Sequence, residues 1–164
     1  MSVLVVNSGS SSLKFQIIST DLERIKEHKD ERLCWGGVEG IGGAAIVRFG
    51  RRDAASQVFT ASLQETAATL DYVVRCMASD RSGLTEIKST ADVNAVGHRV
   101  VHGGEQFRLS ALVDDKVLKG IEAGHEGKSC TEDSKVLAYA IPTDEEVLMA
   151  RDTVRVILGE PHPS

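Results

Sequence analysis

Over the first sixty residues apolar positions fall in short strand-length runs, and from Ser62 they take a helical spacing. Residues 3–6 form a β-branched, apolar run that predicts a short buried strand. Leu13, Phe15 and Ile17 alternate with Lys14 and Gln16, which predicts a second strand with two unlike faces. Residues 32–38 and 44–49 predict two more strands. The connection through Gly36, Gly37, Gly40, Gly42 and Gly43 reads as a hairpin turn of loose register. Residues 57–61 add a short strand, and the charged stretch 21–32 reads as a solvated turn between strands.

Ser62 and Glu65 form a capping-box pattern that opens a predicted helix over 62–79, with Leu63, Ala67, Leu70, Val74 and Met77 as its apolar stripe. A polar segment, 79–92, leads to a strand within 94–104 that ends at Gly103 and Gly104. Asp114 or Asp115 caps a short helix bearing Val117, Leu118 and Ile121, and 123–134 reads as a polar, glycine-rich loop. Residues 136–141 predict a last strand, parallel to the first. A helix over 144–158 follows, with a Thr143–Glu146 capping box and a stripe of Val147, Ala150, Val154, Ile157 and Leu158. Gly159 ends that helix, and Pro161 and Pro163 mark a frayed tail. The fold class expected is α/β, a mixed sheet flanked by helices, in one domain spanning 1–164.

Composition narrows the partners more than the fold. The 164 residues are 41% hydrophobic and 26% charged, ordinary values for a globular domain with a real core. A net charge of −5 gives no electrostatic reason to expect nucleic acid or an anionic membrane as a partner. The three cysteines (Cys34, Cys76, Cys130) are widely spaced with no C-x-x-C, so they read as reduced thiols and not as a disulfide framework or a zinc site. The N-terminus lacks a basic n-region, so no signal peptide is expected and the expected location is cytoplasmic.

Two stretches carry candidate chemistry. Between the first two strands, Gly9 permits close backbone approach, and Ser8, Ser10, Ser11 and Ser12 supply hydroxyls and backbone N–H groups beside Lys14. Donors in a tight turn next to one cation suit a phosphate, and Asn7 can offer a carbonyl oxygen to a metal or its water shell. A serine-rich β-hairpin accounts for the same composition. Neither G-x-x-x-x-G-K-[ST] nor G-x-G-x-x-G is present. In the second stretch, Arg99 lies in an apolar strand, where an unpaired charge costs several kcal/mol; it is there either to hold an acid substrate or to pair with a core carboxylate. His98 and His102 read as structural hydrogen-bonding residues, with no metal-ligand spacing around them.

The string N-S-G-S-S-S-L-K-F at Asn7 resembles the N-terminal signature of the acetate kinase family, and A-V-G-H-R-V-V-H-G-G-E resembles a second one. I-P-T-D-E-E-V-L-M-A-R-D-T-V-R is similar to the family's C-terminal end. Residues 1–122 thus resemble the start of an acetate kinase and 126–164 its extreme end. The intervening segment of the family, with its adenosine-binding motifs and catalytic aspartate, has no matching motif here. The resemblance implies a ribonuclease-H-like lobe of the type shared with sugar kinases and actin. It implies an enzyme class, transfer of phosphate from ATP to acetate giving acetyl phosphate and ADP with Mg2+. It also implies roles: Arg99 for the substrate carboxylate, Lys14 with Ser10, Ser11 and Ser12 for the phosphates, and Asn7 with Glu145 for the metal. Propionate and butyrate kinases, or a non-catalytic binding fragment, are the alternatives. The face left open toward a missing lobe is expected to drive self-association.

Overall fold

The computed structural model describes residues 1–99, 110–115, 117–119, 138–140 and 146–160. Five antiparallel strands come first in a meander: β1 (Ser2–Ser8), β2 (Ser12–Ser19), β3 (Glu31–Glu39), β4 (Gly43–Arg51) and β5 (Ala54–Leu63). Strand β6 (Ala95–Arg99) lies parallel to β1 on its other side. Beyond it come β8 (Ala138–Ala140), parallel to β6, and the two-residue β7 (Ala111–Leu112), antiparallel to β8. The sheet order is β5-β4-β3-β2-β1-β6-β8-β7, so β8 runs in the direction of β1 as the sequence predicts.

Helices α1 (Leu22–Glu27), α2 (Thr66–Met77) and α3 (Glu146–Leu158) accompany the sheet. Strand β1 is buried on both faces, and its alternation divides the core in two. Leu4 and Val6 join Leu13, Phe15 and Ile17 of β2 in the cluster closed by Val73 and Met77 of α2. Val3 and Val5 join Ile18, Ala95 and Ile25 in the cluster closed by Met149, Ala150 and Val154 of α3. None of the described helices is long and apolar enough to cross a membrane.

Several local expectations are corrected. Residues 21–32 are not only a turn: Asp21 accepts hydrogen bonds from the backbone N–H groups of Glu23 and Arg24, capping α1, and His28 ends that helix at φ 53°. Its single buried side chain, Ile25, leaves too little apolar pattern to see in the sequence. Ser62 does not cap a helix, because pairing with Ala44 keeps it in β5, which is longer than the 57–61 expected. Glu65 takes the N-cap position of α2 without a side-chain bond. Of the expected stripe, Met77 is buried and Leu70 and Val74 pack against the core, while Thr69 and Val73 join the buried face and Ala67 is exposed.

On α3 the buried face runs through Met149, Ala150, Asp152, Thr153 and Val154, while Val147 and Leu158 are exposed. Asp152 is tolerated there because Arg155 pairs with it at 3.1 Å. Gly159 ends the helix at φ 70°, as expected. Gly36 and Gly37 belong to β3 and not to its turn, which is made by Gly40 and Gly42, both at positive φ. Asp114 does cap a short helical turn, accepting from the N–H of Val117. The Thr143–Glu146 capping box lies outside the described residues. Cys34 is buried and Cys76 half-buried, both as free thiols. Burial pushes the Cys34 thiol up to about 12, leaving it protonated at neutral pH.

Candidate functional site

Asn7 is the next-to-last residue of β1, and strand pairing gives it two partners. It lies opposite Lys14 on β2 and opposite Arg99 on β6. Residues paired across neighbouring strands project to the same face of a sheet. Lys14, Asn7 and Arg99 therefore make one row across three strands, separated by more than ninety positions in sequence. The row continues the face of Val3 and Val5, the face that α3 covers. Helix α3 begins at the same end. Its first residue, Glu146, lines a small cavity of about 100 Å³ together with Asn7, Lys14, Gln16 and Trp35.

The serine turn caps that end of the sheet. The N–H of Gly9 donates to the Ser12 carbonyl at 2.8 Å, which closes the turn between β1 and β2. The tip of the next hairpin braces it: the N–H groups of Gly40 and Ile41 both donate to the Ser11 carbonyl at 3.0 Å. A Cβ at Gly9 would stand 2.9 Å from the Ser12 hydroxyl, so a larger residue there would have to turn that hydroxyl aside. Ser10 and Ser11 are exposed and Ser12 half-buried. Among the described residues, neither their hydroxyls nor the exposed Lys14 ammonium has a protein partner. A fixed backbone turn with open donors next to an unopposed cation has the chemistry of an anion site.

The structure thus brings Asn7, Lys14 and Arg99 together, with Ser10, Ser11 and Ser12 at the same end of the sheet. Glu145, the predicted metal-side acid, lies outside the described residues, as does His102. Its neighbour Glu146 supplies the carboxylate seen in the cavity. His98 pairs with Val6 and so faces the opposite side of the sheet from Arg99. Burial lowers the His98 pKa, opposed by a hydrogen bond with the Arg99 backbone, which keeps the ring neutral at pH 7. Its Nδ1 is buried without a partner among the described residues, so the structural hydrogen bond expected for this ring is only half met. Gln16 and Trp35 were missed as cavity residues. The two-residue period already places Gln16 beside Lys14, whereas Trp35 enters only through its pairing with Gln16.

No described group of three His, Cys, Asp or Glu residues forms a metal cage. The donors at the cavity are an amide oxygen on Asn7 and a carboxylate on Glu146, both hard oxygen ligands. That pair fits Mg2+, which keeps several waters and takes one or two protein oxygens plus a phosphate.

An antiparallel meander whose first strand takes a parallel strand, β6, on its other side, with helices on both faces, defines the ribonuclease-H-like α/β lobe also found in actin and sugar kinases. The profile of the Acetokinase family matches residues 2–126, and the chain belongs to that family. It is 62% identical over 122 residues to the acetate kinase of Solibacter usitatus, a match spanning 74% of this chain and 30% of that protein. In structure it is similar to the acetate kinase of Porphyromonas gingivalis, with a TM-score of 0.66 at 30% identity over 74% of this chain and 29% of the other. A propionate kinase from Francisella tularensis gives a TM-score of 0.58 at 27% identity, over 74% of this chain and 28% of the other. The chain therefore spans about 30% of the length of the relatives it matches.

Proposed function

We propose that this chain is the carboxylate- and phosphate-holding lobe of an acetate kinase-type phosphotransferase. The reaction served is ATP plus acetate to acetyl phosphate plus ADP, with Mg2+. The observation that supports this reading is the register that sets Arg99, Asn7 and Lys14 in one row beside the serine turn.

In phosphoryl transfer the protein acts by positioning and by neutralising charge on the transferred group. Arg99 offers a planar fork suited to holding a carboxylate bidentately, aligning one oxygen for attack. Lys14 and the N–H and O–H donors at Ser10, Ser11 and Ser12 face the phosphate oxygens. The Asn7 amide oxygen and an acid at the start of α3, Glu145 or Glu146, orient the water shell of Mg2+. The ion, when bound, neutralises phosphate charge. Propionate and butyrate differ from acetate by methylenes worth about 1–3 kcal/mol each, so the same row serves any short-chain carboxylate.

The second reading, a binding lobe without turnover, is favoured for the isolated chain because it spans about 30% of the length of its relatives. Trp35 is the single tryptophan and lines the cavity with Asn7 and Lys14, so its fluorescence is the readout for phosphate, while calorimetry follows acetate binding at Arg99, which is not among the lining residues. The purified chain is expected to bind both without forming acetyl phosphate in a hydroxamate assay. Turnover approaching that of a complete kinase refutes the binding-lobe reading. Arg99→Ala is expected to weaken acetate binding at least tenfold and leave phosphate binding within twofold. Equal acetate binding by the variant removes Arg99 from the site.

A further inference from the structure

The outer edge of β5 ends the sheet, and among the described residues no strand pairs with it. Edges of this kind are normally kept short or carry charge or proline, because their free N–H and C=O groups template pairing with another chain. The opposite end of the sheet follows that rule, with β7 only two residues long. Strand β5 does not. Its ten residues, Ala-Ala-Ser-Gln-Val-Phe-Thr-Ala-Ser-Leu, contain no charge and no proline. At its centre Val58 is 63% exposed, the most exposed large apolar side chain among the described residues.

We infer that β5 is a self-association edge, pairing antiparallel with β5 of a second copy of this chain so that the two sheets join. The strand fits itself. With Val58 on the two-fold axis, Val58 meets Val58 of the second copy, Ser56 meets Thr60, and Ala54 meets Ser62. On the other face Gln57 meets Phe59 and Ala55 meets Ala61. No position brings like charges together, the Ser56 and Thr60 hydroxyls meet, and the two exposed valines cover each other. An acidic or basic strand finds no complement on this edge, so charge selects the second copy over a charged peptide. One strand pair buries less than the ~1,200 Å² of a standard interface, so the dimer is weak and reversible. This surface differs from the face open toward a missing lobe and does not rest on the proposed function.

Light scattering on the full chain across a concentration series tests this. The wild type is expected to pass from monomer to dimer below millimolar concentration. Val58→Lys sets two ammonium groups face to face at an exposed site and is expected to stay monomeric with an unchanged circular dichroism spectrum. Under mild oxidation, Val58→Cys is expected to give a covalent dimer well above the wild-type background, while Thr60→Cys, whose mate is Ser56, does not. A wild type that remains monomeric, a dimer that survives Val58→Lys, aggregates in place of a dimer, or equal cross-linking at positions 58 and 60 overturns the inference.

Discussion

Asp30 is a carboxylate only 4% exposed in its side chain, and it survives burial because three donors converge on it. Arg151 of α3 reaches it through Nε at 2.8 Å and again through a second guanidinium nitrogen, and the Thr20 hydroxyl donates to its other oxygen. Burial pushes the carboxyl up, but the Arg151 and Thr20 hydrogen bonds and the Arg151 charge outweigh it and hold the pKa below its ordinary 3.8. A carboxylate lowered by folding adds stability that is fully present above its unfolded value and lost as pH falls through its folded one. Asp30→Asn leaves the half-buried Arg151 against a neutral group, so it is expected to cost about 1–3 kcal/mol at pH 7 in urea unfolding. The cost should begin to shrink as pH falls below 3.8, where the carboxyl of the unfolded chain takes up a proton, and shrink further until the folded carboxyl is protonated at its own lower pKa. An equal loss at pH 7 and pH 3 would rule out this charge as the source.

Within the strands, close packing decides which glycines are replaceable. A Cβ at Gly36 would run into the Arg48 carbonyl of β4 and the ring of Phe15 on β2, so the residue is there for fit and not for turning. Gly43, at the start of β4, has nothing within 4 Å of its would-be Cβ and no positive φ. Gly36→Ala is expected to lower stability by about 1–3 kcal/mol through strain in the β2–β3–β4 pairing. Gly43→Ala is expected to stay within about 0.5 kcal/mol of wild type. Thermal unfolding of the two variants side by side makes the comparison, and similar losses would show that propensity and not packing governs both. The same packing explains a misjudged hairpin: five glycines between 36 and 43 look like one loose turn, yet Gly36 and Gly37 sit in β3, and at Gly36 the neighbours leave no room for a side chain.

At the scale of the whole molecule, the two helices on opposite faces divide the work. Helix α2 closes the larger cluster, whereas α3 closes the one beneath the Asn7 row and carries Glu146 to the cavity. Met149 is 1% exposed at the centre of that second contact. Met149→Ala is expected to cost about 2–4 kcal/mol by lost burial and a residual cavity. Because α3 also brings Glu146 to the site, the variant should weaken the Trp35 fluorescence response to phosphate with Mg2+. Loss of stability with an unaltered response would mean that α3 does not shape the cavity.

Most strands in their chain order, the two-faced β2, the turn between Asn7 and Lys14 and the strand bearing Arg99 were legible from residue types, because a two-residue period and Gly/Ser turn signals leave few alternatives for the backbone; the two-residue β7 was not. Local pattern failed where a distant partner outweighed it. Ser62 stayed in β5 because β4 paired with it, the stripes of α2 and α3 turned to fit the sheet, and α1 offered only Ile25 as a signal. Sequence alone named Asn7, Lys14 and Arg99. Only tertiary structure could set them in one row, bring Glu146 and Trp35 beside Asn7 and Lys14, and leave β5 at an edge unpaired among the described residues, since strand register and sheet order are contacts between residues far apart in the chain.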